Sequence, residues 1–162
     1  MSHQEIVEQL HSQFGAAITN VEEPYGMLTL TTNRETIILL LQQMQKDGFT
    51  FLTDITGIHL PDNAGAEFGV IYHIHDLVAN IRVRIKVFLS VNDLHIPTAI
   101  SLFSSANWME RETFDFYGII FDGHPKLTRI LNMEDMDYHP MRKEYPLEDA
   151  TREDKIDALF GR

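Results

Sequence analysis

The chain has 162 residues, with 13 Lys plus Arg against 24 Asp plus Glu for a formal charge of −11, and it contains no cysteine. A hydrophobic share of 44% at this length supplies a real core and excludes disorder or a disulfide scaffold, while the missing thiols exclude thiolate zinc sites, cysteine-ligated clusters and a cysteine nucleophile. The acid excess argues against nonspecific nucleic-acid binding, which needs clustered Lys and Arg to displace phosphate counterions.

The first residues lack the basic and apolar regions of a secretory signal and read as a native, intracellular start. The longest strongly apolar run, Ile37 to Leu41, is five residues, far short of the roughly 20 that a membrane-spanning helix needs. Ser2 with Glu5 makes a capping box, and Ile6, Val7, Leu10 and Phe14 recur at helical spacing, so the sequence predicts a first helix from about His3 to Gln13, ended by Gly15. Alternation over Ala16 to Val21 and Met27 to Thr31, around Pro24 and Gly26, predicts a hairpin. Thr32 with Glu35 reads as a second capping box opening a helix to Asp47, with Ile37, Leu40, Leu41 and Met44 as its buried stripe and Gly48 as terminator.

Strands are predicted over Phe49 to Ile58 and Phe68 to His75, separated by the Pro61–Gly65 loop. Next, Ile81, Val83, Ile85 and Val87 alternate with Arg82, Arg84 and Lys86, a period of two that buries one face and leaves the other wet or paired. Pro97 fits the first turn of a short helix from Ile96 to Ser104, and Asn107 with Glu110 reads as a cap for a further helix that Gly118 stops. Beyond Ile119 the periodicity fades. Nine of the 24 acids fall between Met133 and Asp157 against four bases, yet Ile130, Leu131, Met136, Tyr138, Met141, Tyr145 and Leu147 are scattered through or beside the same stretch. Anchors without an amphipathic period suit a segment that orders on another protein's surface. The expected architecture is an α+β, two-layer fold with a mixed, mostly antiparallel sheet, helices on one face and an extended tail. A core domain spans 1–120 and a docking arm spans 121–162.

Glu110, Glu112 and Asp115 could supply an acid/base pair for a stand-alone hydrolase, but Arg111 and Asp115 stand four apart and can pair on a helix, and Glu110 can cap with Asn107, so structural ion-pairing is the stronger reading. His73 and His75 share one strand face, which is half a metal site with no third ligand fixed by spacing. They continue onto the basic face of Arg82, Arg84 and Lys86, read as solvated or as docking against an acidic partner surface. No P-loop, dinucleotide fingerprint or nucleophile elbow is present. Trp108, Phe114, Phe116 and Tyr117 read as core or interface before cofactor stacking.

The run Glu110-Arg111-Glu112, Asp115, Phe116-Tyr117, His124 and Arg129, flanked by Phe51–Gly57, Val70–Ile74 and Tyr138–Leu147, resembles the C subunit, or 30 kDa subunit, family of NADH:quinone oxidoreductase, respiratory complex I. Lys126, Thr128 and Met141 depart from the family pattern. The resemblance implies a structural subunit of the peripheral arm, in the separate form without a fused large subunit, on the cytoplasmic side of the bacterial inner membrane. It implies packing against the D subunit, which contributes to the quinone cavity of complex I, and against neighbouring peripheral-arm subunits. It also implies no cofactor on this chain, with NADH, FMN, iron–sulfur clusters and a quinone on other subunits. Glu110, Arg111, Glu112 and Asp115 would then stabilise the helix and its contact with a neighbour, while His124, Arg129, Arg142 and Lys143 would anchor the tail to the quinone-site partner. An equivalent subunit of a membrane-bound hydrogenase-type or other donor:quinone complex is the alternative within the family.

Overall fold

The computed structural model describes residues 2–145, in the order α1 (His3–Phe14), β1 (Ile18–Glu22), β2 (Leu28–Thr32), α2 (Ile37–Lys46), β3 (Phe51–His59), β4 (Phe68–Asp76), β5 (Ile81–Leu89), β6 (His95–Pro97), α3 (Ala106–Tyr117) and β7 (Ile120–Asp122). Of the arm expected over 121–162, residues 146–162, with Leu147 and the last five of the nine acids, lie outside the described residues.

α1 opens with the expected capping box: the Ser2 hydroxyl accepts the Glu5 N–H at 3.3 Å and the Glu5 carboxylate accepts the Ser2 N–H at 2.8 Å. It buries Ile6 and Leu10. The predicted hairpin is β1–β2, antiparallel, turning through Pro24–Gly26. The second capping box does not form. Thr32 is the last residue of β2, its hydroxyl donating to Ala17 O at 2.9 Å, and the Asn33 side chain instead accepts the Thr36 N–H at 2.9 Å. Pairing of Thr32 with Ile18 and Val87 outweighs a local cap, so α2 starts at Ile37 with its stripe Ile37, Leu40, Leu41 and Met44 buried as expected.

One five-stranded sheet runs β1-β2-β5-β4-β3, antiparallel except for β2 beside β5. The register places Val70, Tyr72 and Ile74 of β4 beside Val87, Ile85 and Val83 of β5, all without solvent exposure, on the face that the helices cover. The other face carries cross-strand rows Thr56–Ile71–Lys86–Thr31, Asp54–His73–Arg84–Thr29 and Phe51–His75–Arg82. The helices form a single layer: Gln9 of α1 donates to Asp47 after α2, Gln45 of α2 donates to Leu102 O, and Thr113 of α3 donates to Ile55 O of β3.

The short helix expected over Ile96 to Ser104 is not formed. Ile96 is fully buried in β6, which pairs in parallel with β7, and Thr98 N–H continues that ladder to Asp122 O at 2.9 Å. Only one turn follows, with Leu102 and Phe103 N–H both on Ala99 O. β7 crosses the boundary expected at residue 120. Gly57 lets α3 close on β3, since a Cβ there would intrude on the Tyr117 ring.

Candidate functional site

α3 turns two carboxylates inward, and each organises a different segment. Glu110 is fully buried and its oxygens accept the Ala99 N–H at 2.7 Å and the Thr98 hydroxyl, so it holds the turn after β6. Burial raises its pKa, and those two bonds pull it back. It makes no cap with Asn107, which sits inside a helix whose N-cap is Ser105. The Tyr72 hydroxyl, buried without a hydrogen-bond partner among the described residues, has its pKa pushed well up by burial and then by Glu110.

Asp115 is the second, also without solvent exposure. Its Oδ2 accepts the backbone N–H groups of Ile130, Leu131 and Asn132 at 3.0, 2.8 and 2.9 Å, and its Oδ1 accepts Arg129 Nη1 at 2.8 Å and Asn132 Nδ2 at 3.1 Å. Burial alone would raise this carboxyl, but the Asn132 and Leu131 N–H groups, with Arg129 and Ile130, hold it well below the carboxylate range. The expected Arg111–Asp115 pair is therefore absent. Asp115 is saturated on the inner side, and Arg111 donates through Nε to Thr128 O at 3.0 Å and through Nη2 to Arg129 O at 2.8 Å, its guanidinium 5.3 Å from the Trp108 ring centroid.

A helix leaves its last carbonyls without intrahelical donors. Here Gly118 and the arm supply them. Phe114 O takes the Gly118 N–H at 2.8 Å, and Gly118 ends the helix as expected with φ 77°. Asp115 O takes Arg129 Nη1 at 3.1 Å and His139 Nδ1 at 3.0 Å. Phe116 O takes the Met141 N–H at 3.2 Å, and Tyr117 O takes Arg142 Nε at 2.8 Å. The guanidinium groups also place positive charge at the negative end of the helix dipole. Arg129 ties the arm to itself as well, Nη2 donating to Met136 O and Tyr138 O at 2.7 and 2.8 Å.

The remaining signature residues divide. His124 donates through Nε2 to Asn107 O at 3.2 Å and accepts the Lys126 N–H on Nδ1 at 3.1 Å, which fixes the neutral Nε2–H form. Arg142 lies 5.1 Å from the Phe68 ring centroid, and the Lys143 backbone N–H donates to His59 Nδ1 at 2.9 Å, with the His59 ring stacked on Phe68. Glu112 is exposed. Arg111, Asp115, Arg129 and Arg142 thus meet where α3 and the arm join, His124 fastens the arm to the start of α3 and Lys143 reaches β3 through its backbone, while Glu110 serves a separate turn. Arg82, Arg84 and Lys86 lie on the face of the sheet away from the helices. Glu110 and Glu112 do not converge, since one is buried and the other exposed.

His59, Asn132 and His139 belong to the junction but carry no local spacing signal. On the uncovered sheet face, His73 Nε2 accepts Arg84 Nε at 2.8 Å with Nδ1 3.7 Å from Asp54, and His75 Nε2 is 3.3 Å from Asn80 Oδ1. Among the described residues no three His, Asp or Glu side chains are grouped so as to hold a metal ion. A shallow cleft of 330 Å³ lined by Arg34, Glu35, Asp93, His95, Pro97 and Asp122 is stitched by Arg34–Asp93 at 2.6 Å and His95–Asp122 at 2.9 Å.

Residues 30–151 match the family described as the respiratory-chain NADH dehydrogenase, 30 kDa subunit. The chain is 41% identical over 125 residues to the C subunit of NADH-quinone oxidoreductase from Nocardioides sp., covering 75% of this chain and 50% of that protein. It is 38% identical over 148 residues to the protein of that name from Trichlorobacter lovleyi, covering 91% of both. It therefore spans half the length of the first relative and nearly all of the second. The solved structure of a trypsin-resistant fragment of Nqo5 superposes with a TM-score of 0.70 at 29% identity, covering 78% of this chain and 100% of the fragment.

Proposed function

We propose that this chain, which belongs to the respiratory-chain NADH dehydrogenase 30 kDa subunit family, is a structural subunit of the peripheral arm of a proton-translocating NADH:quinone oxidoreductase. It packs against the quinone-site subunit of that complex and performs no chemical step itself. NADH, FMN, the iron–sulfur clusters and the quinone are held by other subunits. The chain lies on the cytoplasmic side of the bacterial inner membrane, peripheral to it; among the described residues no helix is long and apolar enough to cross a bilayer.

The observation that carries this reading is the junction of α3 with the arm. Arg111, Arg129 and Arg142 direct hydrogen bonds to carbonyls of their own chain, and Asp115 is saturated by the arm's donors. Catalytic acids and bases need a reachable proton, and these groups are occupied with holding a shape. What that shape presents outward is apolar: Leu131, Met133, Tyr138, Met141 and Tyr145 are each between 38% and 68% exposed. Aromatic residues and Met are enriched where subunits meet. In this reading the arm of 121–162 is the docking element. Over its described residues, 121–145, its fold is fixed from within by Arg111, Asp115, His124, Arg129 and Arg142, and the exposed Glu112 and Lys143 side chains face the neighbouring subunits.

The test is affinity purification of the tagged full chain from native membranes. Subunits bearing FMN, clusters and the quinone site are expected to co-purify. A nickel–iron large subunit in their place would redirect the reading to a hydrogenase-type complex, and a lone, catalytically active chain would overturn it. Arg111→Ala removes two carbonyl bonds of ~1.5 to 3 kcal/mol each, so assembly and activity are expected to fall together. A complex of normal stoichiometry with abolished turnover would argue for a catalytic role.

A further inference from the structure

We infer that the sheet face opposite the helices is a second docking surface, centred on Arg82 and Arg84, for a protein partner that presents paired carboxylates beside an apolar hollow. The inference rests on the chain acting as one component of a larger assembly, but it concerns a surface remote from the α3–arm junction.

The helices lie in one layer, and among the described residues none covers this face. Its charges are not equivalent. Lys86 is neutralised by Glu22 at 2.6 Å. Arg34 and Arg129, elsewhere in the fold, are neutralised by Asp93 and Asp115. Arg82 is exposed and has no ion pair or side-chain hydrogen bond among the described residues. Among the described residues Arg84 donates only its Nε, to the His73 ring, which leaves both terminal amino groups of its fork for another acceptor. His73 brings no charge of its own, because an imidazole nitrogen accepting from a guanidinium is in its neutral form. Burial, then Arg84, lowers its pKa and keeps it so. On a chain of net charge −11, two neighbouring uncompensated guanidinium groups form a local inversion of sign.

Two residues of strand separate their Cα atoms by about 7 Å. That is close to the ~5 to 6 Å Cβ spacing of carboxylates three or four residues apart on a helix, so a partner helix with such a pair could engage both forks.

The surroundings of the two arginines are apolar and protruding. Phe51, 48% exposed, shares the Phe51–His75–Arg82 row. One register step further, the β4–β5 turn raises Leu77 and Val78, 60% and 98% exposed. The turn is built to hold them there, since Asp76 Oδ1 accepts the N–H groups of Val78 and Ala79 at 2.9 and 3.0 Å. Arginine beside aromatic and aliphatic groups is the composition of an interface centre.

The experiment uses the full chain carrying Arg82→Glu, expressed in its native host in place of the wild type. Arg82 is exposed and makes no ion pair or side-chain hydrogen bond among the described residues, so the thermal unfolding of the purified variant should match the wild type. The amount recovered in the membrane complex should fall at least about tenfold, and Arg82→Lys should recover to within about twofold. Wild-type recovery of Arg82→Glu would overturn the inference. In parallel, a photo-crosslinking residue replaces Val78 in the assembled complex. Attachment to an acidic stretch of another subunit supports the inference; attachment to lipid, to a second copy of the chain or to its own residues 146–162 overturns it. Asp115→Ala separates the two readings. If it loses assembly while Arg82→Glu does not, this docking surface falls and the proposed function stands. If the wild type itself is absent from an NADH:quinone oxidoreductase, the proposed function falls and the crosslink still reports what covers the sheet.

Discussion

The sheet with its helices and the arm after β7 order their backbones by opposite means. In the sheet, Leu30, Val70, Ile74, Val83, Ile85 and Val87 are fully buried, each stabilising the whole unit by roughly 1.5 to 3 kcal/mol through removal of apolar surface from water. Over its described residues the arm buries little: Leu131, Met133, Tyr138, Met141 and Tyr145 are exposed. It is held by directional bonds that converge on one carboxylate and on the carbonyls that end α3. A non-directional force spread over many residues tolerates the loss of any one. A convergent polar network does not, because removing its centre strands every donor that pointed at it.

The largest effect expected from that contrast is at Asp115. Asp115→Ala leaves Arg129 without its counter-charge, along with the Ile130, Leu131 and Asn132 N–H groups, a change in the class that costs ~3 to 5 kcal/mol. The loss should be local. Amide exchange over residues 129–142 should accelerate at least about a hundredfold, while the protected amides of β4 and β5 slow or quicken little. Collapse of the sheet amides together with the arm would show that the two regions are one cooperative unit.

Ile85→Ala is the complementary change. It deletes a fully buried side chain from the central strand and should cost ~2 to 5 kcal/mol globally, read as a lower denaturant midpoint at unchanged slope. Arm and sheet should now lose protection together, since the junction has no platform without β3 beneath α3. An arm that kept its protection while the sheet melted would mean the junction folds on its own.

The two regions were also unequally readable in the sequence. Burial with a fixed period leaves a trace, so Ile81 to Val87, the stripe on α2 and the box at Ser2 and Glu5 could all be placed from spacing. Where two local signals competed, spacing failed. Thr32 was a good cap and a better strand end, and Pro97 was a good helix opener that β7 drew into a ladder. The arm had no period to read. Its signature residues were named through a family resemblance, but their partners were not, because Asp115 meets Arg129 and Ile130 to Asn132 across 14 to 17 residues. Nothing about Arg111 and Asp115 four apart reveals that one faces the arm's carbonyls and the other its amides.

The smallest effect expected is at the far end of the arm, where one bond decides. The Lys143 N–H donates to His59 Nδ1, which accepts only while that nitrogen carries no proton. Burial against its surroundings lowers the His59 pKa from the ordinary 6.5. The unfolded chain therefore binds more protons than the folded one between those two values, and stability rises with pH across that window. The contribution is complete above about 6.5 and is lost as pH falls through the folded value. A single hydrogen bond of ~0.5 to 1.5 kcal/mol is at stake, so amide protection at residues 143–145, corrected for intrinsic exchange, should weaken by about two- to tenfold between pH 7 and pH 5. Residues 130–132 should show no such change, because Asp115 stays ionised through this range. His59→Phe keeps the stack on Phe68 and removes the acceptor, and it should show the weaker protection at both pH values. Equal pH dependence in wild type and His59→Phe would place the sensitivity elsewhere, at His139 beneath the same turn.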